Sequence, residues 1–274
     1  MKNVLCLWSI ILVCNLGSTQ SHTQETLFNG HDFTGWEKYL GVPNGKNKPL
    51  GLNNDPYSVF STTQVDGTPA IRASGEVFGT LTHQKSFKNY HLKLEFKWGT
   101  LKWPPRLQMP RDAGLLYHGF GTGGSVAQRW HHTQECQIQE GDTGDYWPIG
   151  DVCIDIPAIK TDTSRWWAYQ EGAPLKTMFF SKDLSERRVL KYPDAERPAP
   201  EWNTVEVYTW KDQSVHVVNG QVVMRLFNSR QVVNGKKVPL TSGRIALQSE
   251  GAEVFYRNVV LQHLRKKPKL MTKS

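Results

Sequence analysis

Beyond its N-terminus, the sequence has no apolar run long enough to cross a bilayer, which takes about 20 residues. It also has no amphipathic helical pattern longer than a couple of turns. A nucleic-acid-binding module is absent, as is any stripe of interleaved basic and aromatic residues. We therefore expect no stable membrane insertion, no nucleic-acid partner and a fold without long helices.

Cysteine is scarce, with four in 274 residues. Cys6 and Cys14 fall in an N-terminal leader, which leaves Cys136 and Cys153 in the body of the protein. An exported protein can form a disulfide, but a chain of this size can fold without one. The sequence therefore leaves open a Cys136–Cys153 disulfide and two buried free thiols.

Residues 1–20 have the pattern of a signal peptide. Lys2 precedes an apolar stretch from Val4 to Leu16, which is followed by small residues. This pattern predicts export to the periplasm or the cell exterior. A lipoprotein anchored through Cys14 is the less favoured alternative, because Val13 stands where a lipidation signal requires a small residue.

The formal net charge is +8, and part of it lies in a basic tail at residues 265–274. We expect this tail to be a solvated end. The sequence between the leader and the tail shows no internal repeat and no dividing linker. It predicts one folded domain at residues 26–264.

Short strand patterns separated by turn signals fill this domain. The clearest runs from Tyr90 to Trp98, where apolar and polar residues alternate. Asn219-Gly220 predicts a hairpin between two further strands. Residues 39–56 read as a loop, and residues 159–200 as a long loop with short strands. About a dozen strands of this kind favour an all-β sandwich or jelly roll.

The stretch from Trp130 to Asp155 concentrates polar and aromatic residues. Alternation on a strand places Glu135, Gln137 and Gln139 on one face, opposite a core-facing Cys136. A bulge near Gln139 would bring Glu140 round to Glu135, since bulges are common beside active sites. Histidines and tryptophans flank the strand, so the stretch is consistent with a sugar site. The plainer alternative is an ordinary strand with a polar outer face, followed by a loop.

Several segments, taken in order, resemble the 3-keto-disaccharide hydrolase domain family, whose fold is similar to the concanavalin A-like lectin and glucanase sandwich. The matching residues are 27–30 with 35–36, 92–98, 112–115, 135–138, 201–204, 218–220, 243–248 and 255–259. One departure stands at Arg111-Asp112-Ala113-Gly114, where the family more often has Asn-Ser-Gly. The resemblance implies a concanavalin A-like β-sandwich of two antiparallel sheets.

The resemblance also implies a glycoside or oligosaccharide substrate that a sugar 3-dehydrogenase has first oxidised at C3. The C3 carbonyl acidifies the C2 hydrogen, so a base can start elimination of the group on C1, and water can then add. The alternatives are a non-catalytic lectin-like glycan-binding module and a conventional glycanase. A fainter likeness to sandwich β-glucanases supports the glycanase, but Gln137 stands where their central Asp is expected.

From these residues we assign candidate roles. Glu135 is the first candidate for the general base, followed by Glu140, with His132 as a further catalytic candidate. A metal such as Ca²⁺ or another divalent ion could use Asp142 and Asp145, although no zinc motif is present. The candidate substrate-binding residues are Arg111, His118, Trp130, His131, Gln137 and Trp147.

Overall fold

The computed structural model describes residues 24–272, so the signal-peptide prediction lies outside the described residues. Two short 3₁₀ turns lie at Leu184–Glu186 and Lys269–Met271. The strands are β1 (Gln24–Thr26), β2 (Trp36–Leu40), β3 (Gly51–Leu52), β4 (Phe60–Val65), β5 (Thr68–Ala73), β6 (Gly79–Lys88), β7 (Tyr90–Lys102), β8 (Asp112–Phe120), β9 (His132–Gln139), β10 (Tyr146–Ile149), β11 (Val152–Lys160), β12 (Trp167–Tyr169), β13 (Leu175–Phe179), β14 (Val189–Leu190), β15 (Asn203–Trp210), β16 (Gln213–Val218), β17 (Gln221–Val233), β18 (Lys236–Pro239), β19 (Ser242–Ser249) and β20 (Ala252–His263).

These strands form two large antiparallel sheets. The first has the order β4-β5-β20-β7-β15-β16-β17, with β1 beside β20. The second runs β3-β2-β6-β19-β8-β9-β10 and continues through β14 and β12 to β11. The β12–β14 contact is a parallel pairing. A smaller group, β18-β17-β11-β13, joins the two sheets at one end. The predicted β-sandwich of two antiparallel sheets is confirmed.

The main core lies between the two large sheets. Leu92, Leu94 and Phe96 of β7 are fully buried, and they face Leu115 of β8 and Ile138 of β9 in one cluster. Alternation explains the arrangement, since every second residue of each strand points into the sandwich. Burying each such side chain contributes about 1.5–3 kcal/mol. The opposite face of β8 and β9 is thereby left free to build a surface.

A smaller apolar cluster supports the lobe formed by β10 to β14. Tyr146, Ile154, Met178 and Val189 are buried together there. This cluster fixes the position of the segment that precedes β14, which includes Arg187 and Arg188. The described residues include no helix long and apolar enough to span a membrane.

The structure corrects several local predictions. Residues 39–56 are not entirely loop, because β2 extends to Leu40 and pairs with the two-residue strand β3. The aromatic segment after the 141–145 turn is strand β10, which pairs with β9. No bulge occurs near Gln139, where the register with β8 is regular. The irregularity lies further along β8, between Tyr117 and Phe120.

Two further expectations concern the cysteines and the tail. Cys136 and Cys153 are both buried free thiols, which resolves the alternative that the sequence left open. The described part of the basic tail is not wholly solvated. Met271 is buried against Val215 and Val217, because the 3₁₀ turn there packs onto β16.

Candidate functional site

A cavity of about 290 Å³ lies on the outer face of the second large sheet. This volume is near the lower end of ligand pockets, which hold about 300–1,000 Å³. Its floor comes from strands β19, β8, β9 and β10, and its rim comes from loops. The lining residues are Arg106, Asp112, Val126, Ala127, Trp130, Glu135, Gln137, Gln139, Trp147, Pro148, Ile149, Phe180, Arg187, Gln248 and Glu250.

Strand register explains why the polar residues meet in this cavity. Directly paired residues on neighbouring strands share a face. Glu135 of β9 is therefore flanked by Trp147 of β10 and Leu116 of β8. Gln137 lies one row further along, opposite Gly114 of β8. The predicted polar face of β9 thus becomes the cavity floor.

Gly114 of β8 lies directly beneath two polar side chains of the cavity. A Cβ atom at this position would lie 2.2 Å from both Glu135 Oε1 and Gln248 Oε1. The absence of a side chain at Gly114 therefore lets the carboxylate and the amide approach each other over bare backbone. This close approach brings the two groups together at the cavity floor.

Several cavity-lining polar groups are buried without a hydrogen-bond partner among the described residues. The acceptors are Glu135 Oε1, Gln137 Oε1 and Gln248 Oε1, and the donors include Trp147 Nε1 and Arg187 Nε. An unsatisfied buried polar group costs about 1–3 kcal/mol. Such groups concentrated in one cavity indicate that a polar ligand completes their hydrogen bonds.

The pKa of Glu135 is raised well above its ordinary value. Burial is the main cause, and the nearby negative charge of Glu250 adds to the effect. Burial likewise raises the pKa of Glu250, to about 7. Both of these carboxyl groups of the cavity therefore keep their protons to higher pH than an ordinary glutamate does.

Arg106 connects the second carboxyl group to the sheet. Its Nη2 atom donates to Asp112 Oδ2 and lies 3.5 Å from Glu250 Oε1. The Arg106 side chain runs across Gly251, where a Cβ atom would lie 2.6 Å from its Cγ atom. Arg106 therefore neutralises two acids at one end of the cavity.

Aromatic side chains form the cavity walls. The ring centres of Trp130 and Phe78 are 6.3 Å apart and the rings are stacked. The ring centres of Trp147 and Trp166 are 5.5 Å apart and the rings meet edge to face. Phe180 closes the rim and is 41% exposed. Flat apolar walls above hydrogen-bonding groups suit a sugar ring, which has apolar faces and polar edges.

A family model named the 3-keto-alpha-glucoside-1,2-lyase-like domain matches residues 23–262. The chain belongs to this family. The match spans nearly the whole described structure, including every strand that builds the cavity floor. The resemblance inferred from short segments is therefore confirmed, and membership of the family makes this a glycosidase-like, carbohydrate-active domain.

Solved structures with a similar backbone are distant in sequence. A Parabacteroides distasonis protein described as a glycosyl hydrolase is 20% identical, with a TM-score of 0.47 and coverage of 88% of this chain and 94% of that chain. A Bacillus licheniformis β-glucanase is 13% identical, with a TM-score of 0.40 and coverage of 90% and 100%. The carbohydrate-binding module CBM66 of Bacillus subtilis is 8% identical, with a TM-score of 0.41 and coverage of 74% and 91%. No curated protein matches the sequence.

Within the family fold, the structure brings four predicted site residues into one cavity: Glu135, Gln137, Trp130 and Trp147. It does not bring Glu140 or Arg111 there. Arg111 Nη1 lies 2.8 Å from Glu140 Oε1, and this pair lies outside the cavity. Glu140 remains outside because β9 ends at Gln139 without the bulge that would have turned it inward.

The three histidine candidates also lie elsewhere. His118 has a φ of 54°, and its ring packs in the core between Tyr90 and Tyr117. His131 is buried over Gly119, and His132 stacks on Phe120 with a ring separation of 5.1 Å. Burial lowers the pKa of both His118 and His131 to about 3, so these two histidines remain uncharged at neutral pH.

The aspartates proposed for a metal site do not fit one. Arg188 Nη2 lies 2.6 Å from Asp142 Oδ2 and 2.6 Å from Asp145 Oδ2. A guanidinium therefore occupies the position between the carboxylates that a cation would take. In residues 24–272, no group of three or more histidine, cysteine, aspartate or glutamate side chains is arranged to hold a metal ion.

The cavity residues that the sequence did not single out include five with charged, amide or aromatic side chains: Arg106, Phe180, Arg187, Gln248 and Glu250. A signal existed for two of them. In β19, Ile245 and Leu247 face the core, so Gln248 must face outward, and Glu250 follows on the same side. The other three come from loops, whose course the sequence does not reveal.

Proposed function

We propose that this protein is a carbohydrate-active enzyme that cleaves 3-keto-glycosides, with Glu135 as its general base. One observation carries the proposal above all others. A buried carboxylate with an unpaired oxygen and a raised pKa lies at the floor of an aromatic-walled cavity. Family membership supplies the carbohydrate substrate class.

In the first step, ionised Glu135 removes the proton from C2. The electron pair of the C2–H bond forms a C2=C3 double bond, and the carbonyl oxygen at C3 becomes an enolate oxygen. A base with a raised pKa suits this task, since proton transfer is most efficient when the pKa lies near the working pH.

In the second step, the enolate collapses back to the C3 carbonyl. A C1=C2 double bond forms and the C1–O bond breaks, so the leaving oxygen takes the bond electrons and a proton. Glu135 carries the proton that it took from C2 and passes it to the leaving oxygen, while Glu250 stays ionised beside it. Water then adds at C1 and a proton returns to C2, or the unsaturated sugar leaves as the product.

The remaining cavity residues bind and orient the sugar. The amides of Gln137 and Gln248 present unpaired oxygens to the hydroxyl groups of the substrate. Trp147 and Trp130 provide surfaces on which an apolar sugar face can stack. A cavity of about 290 Å³ suits one sugar unit with part of its leaving group.

The proposal extends to the cellular context. The leader pattern of residues 1–20 supports export to the periplasm or the cell exterior. The substrate must carry a ketone at C3, so a sugar 3-dehydrogenase has to act before this enzyme.

The direct test is aglycone release by the purified protein from a nitrophenyl 3-keto-glucoside and from its unoxidised parent, each with and without a chelator. We expect release from the keto substrate alone, and release that survives the chelator. Release from the parent at a comparable rate would instead show a conventional glycanase. Loss of activity with the chelator would show that a bound metal takes part.

Glu135→Gln separates an enzyme from a glycan-binding module. We expect turnover to fall by about 10²–10⁴-fold while substrate affinity changes little, because the amide preserves the shape of the cavity. The matched control is Glu206→Gln, a half-buried carboxylate 2.6 Å from His91 on the outer face of the other sheet. Glycan binding by the wild type without any turnover would establish the lectin-like alternative.

A further inference from the structure

Arg187 lines the cavity, but its guanidinium is not paired with an acidic side chain among the described residues. No carboxylate lies within salt-bridge distance of it in residues 24–272, and its Nε atom is buried without a partner. Its neighbour Arg188 shows the contrast, since Asp142 and Asp145 both bind that guanidinium. The two adjacent arginines therefore serve different purposes.

Neighbouring aromatic rings hold the Arg187 guanidinium in place. Its Cζ atom lies 3.8 Å from the centre of the Phe180 ring and 5.9 Å from that of Trp147. Its backbone N–H donates to Leu184 O at 3.0 Å, which closes the preceding 3₁₀ turn. A planar cation fixed by stacking is preorganised, so little entropy is lost when it binds an oxygen atom.

The other arginine that lines the cavity is already neutralised. Arg106 is shared between Asp112 and Glu250, whereas the positive charge of Arg187 has only the more distant attraction of Glu135. The cavity thus contains one cation available for an anion that forms during reaction. Trp147 Nε1, also buried and unpaired, is a second donor in the same cavity.

We propose that Arg187 is a catalytic residue that binds the C3 oxygen of the substrate and stabilises it as it becomes an enolate, with Trp147 Nε1 as a supporting donor. This role rests on the proposed function. Removal of the C2 proton by Glu135 places a full negative charge on that oxygen. A preorganised cation beside a developing negative charge stabilises that charge better than bulk water does.

The role can be tested apart from bond cleavage. A 1-deoxy-3-keto-glucose analogue has no leaving group, so no bond cleavage can occur. In D₂O, NMR then measures only the exchange of the C2 proton for deuterium. The variants are Arg187→Met, Arg187→Lys and a control, Arg165→Met. Arg165 also stacks on an aromatic ring, with its Cζ 4.2 Å from the centre of Trp166, but it does not line the cavity.

We expect Arg187→Met to slow C2 exchange by about 10²–10³-fold, the usual effect of losing one oxyanion donor. Arg187→Lys should recover part of that loss, and Arg165→Met should match the wild type. Circular dichroism and thermal melting establish that each variant is folded.

Two results would overturn the role of Arg187 alone. Unchanged exchange in Arg187→Met with reduced aglycone release would place Arg187 at the leaving group or at a substrate carboxylate instead. Aglycone release from the keto substrate by Arg187→Met at the wild-type rate would leave the arginine with no catalytic role. A wild-type protein that neither exchanges C2 nor releases aglycone would refute the proposed function itself, and this role with it.

Discussion

Glu135 and Glu250 illustrate how burial prepares two carboxyl groups for chemistry. Taking a carboxylate out of water disfavours its charged form, and a second negative charge nearby disfavours it further. Both effects act on Glu135, and burial alone dominates at Glu250. The folded protein therefore retains protons on this pair at pH values where ordinary glutamates, with a pKa of about 4.5, have lost them.

This pair predicts a specific pH dependence. Because ionised Glu135 is the base, kcat/KM should rise with pH as Glu135 loses its proton. This rise should occur at a pH well above the ordinary glutamate pKa. In Glu250→Gln one neighbouring negative charge is lost, so the pKa of Glu135 falls and this rise of kcat/KM should move to lower pH. A nitrophenyl keto substrate isolates this effect, since its good leaving group needs no acid. A rise that stays at the wild-type pH would contradict coupling between the two carboxyl groups.

At this scale the sequence predicted only part of the site. Glu135 and Gln137 were predictable, because period-two alternation around Cys136 and Ile138 places them on the exposed face. Arg187 was not, because it comes from a loop more than fifty residues further along the chain whose course is fixed by tertiary packing. The histidines misled for a similar reason. Their closeness to Glu135 in the sequence does not reveal the direction of their side chains. His118 has a positive φ and turns into the core.

At the scale of elements, the cavity depends on a flat region where β19, β8 and β9 lie side by side. Gly114 creates this region by leaving room for Glu135 and Gln248 above it. Its neighbours Ala113 and Leu115 pack into the core on the opposite face of β8. The same strand therefore anchors the sandwich and forms the floor of the cavity.

Gly114→Ala tests the importance of that floor. The added methyl group would lie 2.2 Å from both side-chain oxygens, so Glu135 and Gln248 must move aside. Displacing a catalytic group by about 1 Å can cost 10²-fold, and we expect kcat to fall by about 10–100-fold. The melting temperature should change little, because the displaced atoms are the ends of side chains. Full activity in this variant would contradict the placement of Glu135 as the base.

The pattern of elements was more predictable than the pattern of site residues. The strand from Tyr90 and the Asn219-Gly220 hairpin appear as expected, because alternation and turn chemistry are local signals. Strand β10 lies where the sequence predicts a loop after the Glu135 strand. In the structure, hydrogen bonding to β9 makes this segment a strand, and the local sequence contains no signal for that pairing.

Across the whole sandwich, one large apolar core stabilises residues 24–272, which contain no disulfide bond. Cys136 lies inside that core, and Cys153 is buried on β11. A chain of this size buries enough apolar surface to fold unaided. The two thiols therefore behave as small apolar residues.

This state predicts the outcome of an alkylation experiment without reductant. Iodoacetamide should modify neither Cys136 nor Cys153 in the native protein and should modify both after unfolding in guanidinium, as read from peptide masses. Recovery of a linked Cys136–Cys153 peptide from the unfolded, unreduced protein would contradict the free-thiol state. Stability should likewise be unaffected by added reductant.

In the proposed reaction, cleavage begins with removal of the C2 proton, and a substrate labelled at C2 tests this step. A nitrophenyl 3-keto-glucoside with deuterium at C2 is cleaved in ordinary water, and the released sugar is weighed by mass spectrometry against a sample incubated without enzyme. We predict that aglycone release is accompanied by loss of the C2 deuterium. Released sugar that retains all of its deuterium would show direct displacement at C1 and would contradict the mechanism.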